Sequence, residues 1–209
     1  MSDSKKISYE VIKRLPRYYR YLGDLRKNNI VRISSKELSE KMNVTASQIR
    51  QDLNCFGGSG QKGYGYNVES LYKSICEILG LERGHKTVII GAGNLGKALV
   101  LYKSFERRGF ILTGVFDNDE AKIGTFIGEH VILNINTLPD FIAKHKPDIG
   151  IIAVPKEKAG EIALLLSQNG VKGLVNFSYT DLSMLKDVEV ENVHISDSLM
   201  TLSYRIKDK

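Results

Sequence analysis

The chain has 209 residues, 42% hydrophobic and 26% charged, with 30 Lys+Arg against 24 Asp+Glu and two cysteines. That length supports two small cores. No apolar run approaches the ~18 residues of a membrane span, and Cys55 and Cys76 are too few for a disulfide framework or a zinc site.

The net charge of +6 resides wholly in residues 1–83, with 15 Lys+Arg against 9 Asp+Glu, whereas residues 84–209 carry 15 of each. Such asymmetry implies an anionic partner for the basic segment. Residues 1–6 lack the apolar centre of a signal peptide, so a cytoplasmic protein with no membrane or metal partner is expected.

In the basic segment, Val11, Leu15, Tyr18, Leu22 and Leu25 recur at spacings of 4, 3, 4 and 3, the stripe of an amphipathic helix. Arg14, Arg17 and Arg20 lie off the stripe, and Asn28-Asn29 supply a stop. Ser34-Ser35-Lys36-Glu37 fits a capping box, and its short helix buries Leu38 and Met42 before ending near Asn43. Thr45-Ala46-Ser47-Gln48 reads as a second box. Its helix turns Ala46, Ile49 and Leu53 inward and Ser47, Arg50, Gln51 and Asn54 outward.

Two short helices joined by a tight turn make a helix-turn-helix. Arg recognises guanine, Gln or Asn recognises adenine, and Ser serves bases or phosphates. The expected DNA contacts are Arg14, Thr45, Ser47, Gln48, Arg50 and Gln51, joined by Lys62 and Tyr64. Residues 57–65 hold five glycines and run into alternating tyrosines, which reads as a tight β-hairpin wing with Lys62 near its tip. A flexible linker is the competing reading. A helix over 68–81, carrying Leu71, Ile75, Ile78 and Leu79, closes this domain before a polar linker.

Val88-Ile89-Ile90 then runs into Gly91-Ala92-Gly93-Asn94-Leu95-Gly96, with Asp117 21 residues beyond Gly96. In this dinucleotide fingerprint Gly91 makes the turn, Gly93 admits a pyrophosphate, and Gly96 lets the next helix pack on the sheet. The amides of Ala92, Asn94 and Leu95 are expected to face phosphate oxygens at a helix N-terminus. Asp117 is expected to accept from an adenosine ribose and repel a 2′-phosphate, favouring NADH and NAD+ over the phosphorylated cofactor. A plain glycine turn would need neither Gly93 nor the acid.

Strands are expected at 87–91, 111–117, 148–154 and 173–175, and helices at about 95–108, 137–144 and 157–168. The alternation predicts a doubly wound parallel sheet over residues 84–192, within an α/β chain whose first domain spans 1–83. Pro155, Asn176 and Phe177 follow or end strands that should face the nucleotide. No catalytic group is evident: His85, His130, His145 and His194 are scattered and lack ligand or base partners. In residues 193–209, Leu199, Leu202 and Ile206 stripe a last helix with little chain left to cover it. That predicts a homodimer, whose two-fold symmetry suits paired half-sites in double-stranded operator DNA.

Taken with Arg14-Leu15-Pro16-Arg17-Tyr18-Tyr19-Arg20-Tyr21-Leu22, Gln48-Ile49-Arg50-Gln51-Asp52-Leu53 and Gly63-Tyr64-Gly65-Tyr66, the fingerprint makes the whole chain resemble the Rex family of redox-sensing repressors. The resemblance implies a winged helix-turn-helix, a Rossmann-like NAD(H) domain and a C-terminal swapped helix. It also implies a repressor that NADH releases from a palindromic operator. Tyr102 matches a family tyrosine near the nicotinamide, and Arg20 matches an arginine that couples the winged domain to the tail. Two departures stand out. His194-Ile195 occupies the place of an Asp followed by an apolar residue, and Tyr179 follows Asn176-Phe177-Ser178 where the family has proline. The alternatives are a small NAD-dependent oxidoreductase with a basic docking domain, and a CoA-binding regulatory subunit. The missing catalytic base weighs against the first and Asp117 against the second.

Overall fold

The structure, a computed structural model, describes residues 7–55 and 64–207. The chain forms two compact units, Met1–Arg83 and Gly84–Lys209.

In the first unit, α1 (Tyr9–Lys27) buries the predicted stripe of Val11, Leu15, Tyr18, Leu22 and Leu25. Pro16 lies within it on the exposed side, and Asn29 at φ +56° stops it. After β1 (Arg32–Ile33) comes α2 (Ser35–Met42), with the full capping box at Ser34 and Glu37 and a left-handed Asn43 at its end. In α3 (Ala46–Asn54) the Thr45 hydroxyl accepts from the Gln48 N–H. The second box is only half made, because the Gln48 amide turns to Asp52 instead.

β2 (Tyr66–Asn67) pairs antiparallel with β1, and α4 (Val68–Ile78) follows from its cap, Asn67. α4 stops short of the expected residue 81, the chain turning at Gly80 with φ +67°. Leu15, Tyr18, Leu22, Leu38, Ile49, Leu53 and Ile75 meet in one core, where each buried Leu or Ile contributes about 2 kcal/mol. Residues 56–63, which hold most of the expected wing and Lys62, lie outside the described residues.

The second unit contains β3 (His85–Ile90), α5 (Asn94–Val100), β4 (Phe110–Asp117), β5 (Phe126–Ile127), β6 (His130–Asn134), α6 (Leu138–His145) and β7 (Ile149–Ile152). α7 (Lys156–Gln168), β8 (Gly173–Asn176), β9 (Glu189–Asn192) and α8 (Ile195–Ile206) complete it. The sheet order is β5-β6-β4-β3-β7-β8-β9, parallel except for β5. Without the edge strand β5, this is the doubly wound order of dinucleotide-binding domains, its switch point between β3 and β7.

The expected helix over 95–108 ends at Val100. Leu99, Val100, Leu101 and Tyr102 form a continuous apolar run without helical period, and the Tyr102 ring folds edge-on against Phe105 at 5.1 Å. Strands β5, β6 and β9 were not expected. β5 has two residues, and β9 reads Glu-Val-Glu-Asn, three of its four residues polar as suits an edge strand.

One sheet face, with Val88, Ile90, Phe116, Ile152 and Leu174, is covered by Leu138 and Ile142 of α6 and Ala159, Ala163 and Leu166 of α7. On the other face the shortened α5 covers little. No helix connects β8 to β9, and Thr87, Ile89, Ile149, Ile151 and Val175 line an apolar cavity of about 610 Å³. α8 buries none of its residues.

Candidate dinucleotide site and DNA-reading surface

The glycine turn has the backbone geometry its spacing predicts. Gly91 sits at φ +101°, and a Cβ there would strike the Ala153 carbonyl on the neighbouring strand's extension. A Cβ on Gly96 would strike the Gly91 carbonyl, so helix and turn meet with no room for a side chain. A Cβ on Gly93 would meet nothing within 4 Å. That open side is what a ligand's close approach requires.

Asp117, at the end of β4, is buried and binds the turn itself. Its Oδ2 accepts from the Ala92 N–H at 2.7 Å and from Lys122 Nζ at 3.3 Å, and its Oδ1 accepts from the Asp119 N–H at 2.9 Å. Burial pushes this carboxyl up, but the two backbone donors and Lys122 outweigh it and hold it below the usual value. The Ala92 amide is therefore spent on Asp117 and does not point at a phosphate, whereas Gly93, Asn94 and Leu95 are exposed. Lys122 also pairs with Asp119 at 3.2 Å.

Gly91, Gly93, Asp117, Lys122 and Pro155 share a cavity of about 630 Å³ at the strands' C-terminal ends. Pro155 caps α7 there. Tyr102, half exposed, and Phe177 line the apolar cavity instead. Asn176 faces neither. Its buried amide donates to the Thr180 carbonyl and to Asn192 and accepts from the N–H and hydroxyl of Ser178, stapling the loop after β8. Its role visible here is to hold that loop. His194, the residue before α8, stacks on Tyr179 with ring centroids 5.9 Å apart.

In the first unit, Ser47, Arg50, Gln51 and Asn54 are exposed on one face of α3, as an element reading the major groove must present. Arg50 reaches Ser35 at 3.4 Å across the helix pair. Thr45 is exposed but its hydroxyl caps α3. Tyr64 is exposed beneath the Arg32 guanidinium, 5.8 Å from its ring. Arg20 is exposed on α1. Cys55 is half-buried and donates to the Gln51 carbonyl at 3.3 Å.

Arg14 and Gln48 do not stand free. The Arg14 guanidinium forks onto the fully buried Asp52 at 2.8 Å through both Nε and Nη2, and Gln48 Nε2 donates to the same carboxylate at 2.8 Å. Tyr18 Oη adds a bond at 3.0 Å. Burial pushes the Asp52 carboxyl up, and these donors together bring it below its ordinary value. Asp52 was missed from sequence, its only signal being a charged residue at an inward helical position. Among the described residues no cluster of His, Cys, Asp or Glu is placed to hold a metal, and no helix is long and apolar enough to cross a membrane.

Residues 6–54 match the family described as "Putative DNA-binding protein N-terminus", and residues 82–180 match the "CoA binding domain" family. The redox-sensing transcriptional repressor Rex of Thermoanaerobacter pseudethanolicus is 55% identical over 209 residues, covering 100% of this chain and 93% of that protein. The Rex of Clostridium kluyveri is 54% identical over 208 residues, covering 100% of this chain and 99% of the relative. Among solved structures, RSP in complex with beta-NAD+ and operator DNA superposes with a TM-score of 0.90 at 54% identity, covering 97% of this chain and 93% of that one. RSP in complex with beta-NADH gives 0.88 at 52% identity, covering 97% and 95%.

Proposed function

Because the chain belongs to the Rex family of redox-sensing transcriptional repressors, we propose that it represses transcription from operator DNA and releases that DNA when NADH displaces NAD+. It is a repressor and not an enzyme, and the oxidoreductase reading is not favoured. The observation that carries the proposal is the presence in one chain of an exposed polar face on α3 and a glycine cradle closed by Asp117.

In this reading Ser47, Arg50 and Gln51 meet bases, while Thr45, Lys62 and Tyr64 meet the backbone. The dinucleotide's phosphates lie along Gly91, Gly93, Asn94, Leu95 and Gly96, its adenosine ribose at Asp117, and its nicotinamide half toward Pro155, Tyr102 and Phe177. As a transcriptional repressor it acts where the chromosome is, in the bacterial cytoplasm.

The working unit is a homodimer. α8 exposes Ile195, Leu199, Met200, Leu202 and Ile206, and the sheet presents an apolar cavity that its own chain leaves open. A helix from a second copy, laid on that face, removes both surfaces from water. Arg20 and His194 are the candidates for relaying ligand state between reading head and tail.

NAD+ and NADH differ only at the nicotinamide ring, cationic and aromatic in the first, neutral with a hydride added at C4 in the second. A dry environment disfavours the cationic ring and so favours the reduced ligand. By linkage, NADH must bind the DNA-incompetent arrangement more tightly, and DNA must weaken NADH binding by the same factor. A mobility-shift titration at fixed salt, on an operator selected from random DNA, tests this. NADH is expected to lower operator affinity and NAD+ to do so far less; equal effects would refute redox sensing.

A further inference from the structure

Asp52 is the fully buried charged group among the described residues of the first unit, and the proposed function does not use it. It lies between Ile49 and Leu53 on the inward face of α3 and has no exposed surface. Two residues one turn apart on α1, Arg14 and Tyr18, and one residue a turn back on α3, Gln48, all donate to it at 2.8–3.0 Å.

We propose that Asp52 is a positioning residue. With Arg14, Tyr18 and Gln48 it forms a clasp that fixes the rotation of α3 against α1, and Arg14 and Gln48 serve this clasp instead of reading DNA. The proposal rests on α3 being the DNA-reading helix.

α3 has nine residues and is anchored inward mainly by Ile49 and Leu53. Apolar contacts are non-directional, so two of them hold a short helix close without strictly fixing its turn about its own axis. A carboxylate gripped by a planar guanidinium fork is directional. Stability alone does not account for the clasp, since buried ion pairs replaced by apolar groups of similar volume often leave a protein as stable or more so. Rotation matters here because Ser47, Arg50, Gln51 and Asn54 share one exposed face. A small turn of α3 moves every one of them relative to base edges.

The test uses full-length protein and reads three quantities: NADH affinity, operator affinity at fixed salt, and base preference at each operator position. Gln48→Ala is expected to weaken operator binding with no selective relaxation at any one position. Loss of a genuine base contact would relax one position by about 5- to 150-fold, and that result would overturn the assignment of Gln48.

Gln48→Glu sets a second carboxylate against Asp52. Its operator binding is expected to be poor at about pH 7.5 and to recover toward about pH 5.5, as one of two crowded carboxyls takes up a proton. A pH profile parallel to wild type would count against the clasp. Asp52→Leu is expected to keep NADH affinity while losing about tenfold or more of its discrimination between operator and random DNA. Unchanged discrimination would overturn the proposal. If Asp52→Leu does not fold, the two Gln48 variants decide. Wild-type protein that selects no operator would instead overturn the repressor reading on which all of this rests.

Discussion

At the scale of single residues, Asp117 is more constrained than a simple ribose acceptor. Three of its acceptor positions are taken, two by backbone N–H groups and one by Lys122, out of about four that a carboxylate offers. Lys122 also offsets the negative charge that would repel a 2′-phosphate. Lys122→Ala is therefore expected to sharpen the preference for NADH over NADPH, and Asp117→Ala to blunt it and weaken NADH as well. Calorimetric titration of both nucleotides checks the two signs. Asp52 carries a different expectation. Its native pKa lies below the ordinary carboxylate value despite burial, because its hydrogen bonds outweigh desolvation. The stability it adds is thus fully present above about pH 3.9 and is lost as pH falls through the native value. Asp52→Asn is expected to lower the first unit's stability by about 3 kcal/mol near neutrality. The gap to wild type should close in acid, as measured by denaturant unfolding across pH.

Among elements, the contrast between Gly93 and Gly96 separates ligand approach from packing. A side chain at Gly96 collides with backbone, whereas one at Gly93 enters open space. Gly96→Ala is expected to lower stability by about 3 kcal/mol, at the upper end of overpacking costs, and to abolish NADH binding. Gly93→Ala should leave thermal stability within about 0.5 kcal/mol while weakening NADH by about tenfold or more, ~1.4 kcal/mol of binding. A melting curve beside a nucleotide titration distinguishes the two. The same elements show what sequence can convey. The α1 stripe, the Ser34 box and the Asn43 stop were legible because each rests on residues within a turn or two of one another. The end of α5 was not, since four successive apolar residues satisfy helix and turn alike and the Tyr102–Phe105 contact decides between them. β9 was hidden because an edge strand needs only one buried side. The contacts of Asp52 were hidden for a related reason: Gln48 lies only a turn away on α3, but Arg14 reaches the carboxylate only because tertiary packing brings α1 to that helix.

For the whole molecule, the apolar surfaces that the second unit leaves open bear most directly on function. A monomer with this cavity and this tail would expose six large apolar side chains along α8 as well as a sheet face that the short α5 covers only in small part, an arrangement suited to an interface and poorly suited to solvent. If a second copy supplies the cover, dimerisation and DNA affinity stand or fall together, because two reading helices on one operator gain from each other's effective concentration. Leu199→Asp combined with Leu202→Asp is expected to convert the protein to monomers in sedimentation equilibrium and to reduce operator affinity by about 100-fold or more. NADH should still bind through the glycine cradle, but with no effect left on the residual DNA affinity. A monomeric variant that retained NADH-sensitive operator binding would show that the signal passes within one chain. A dimer of unchanged strength would show that α8 is covered by something other than its own kind.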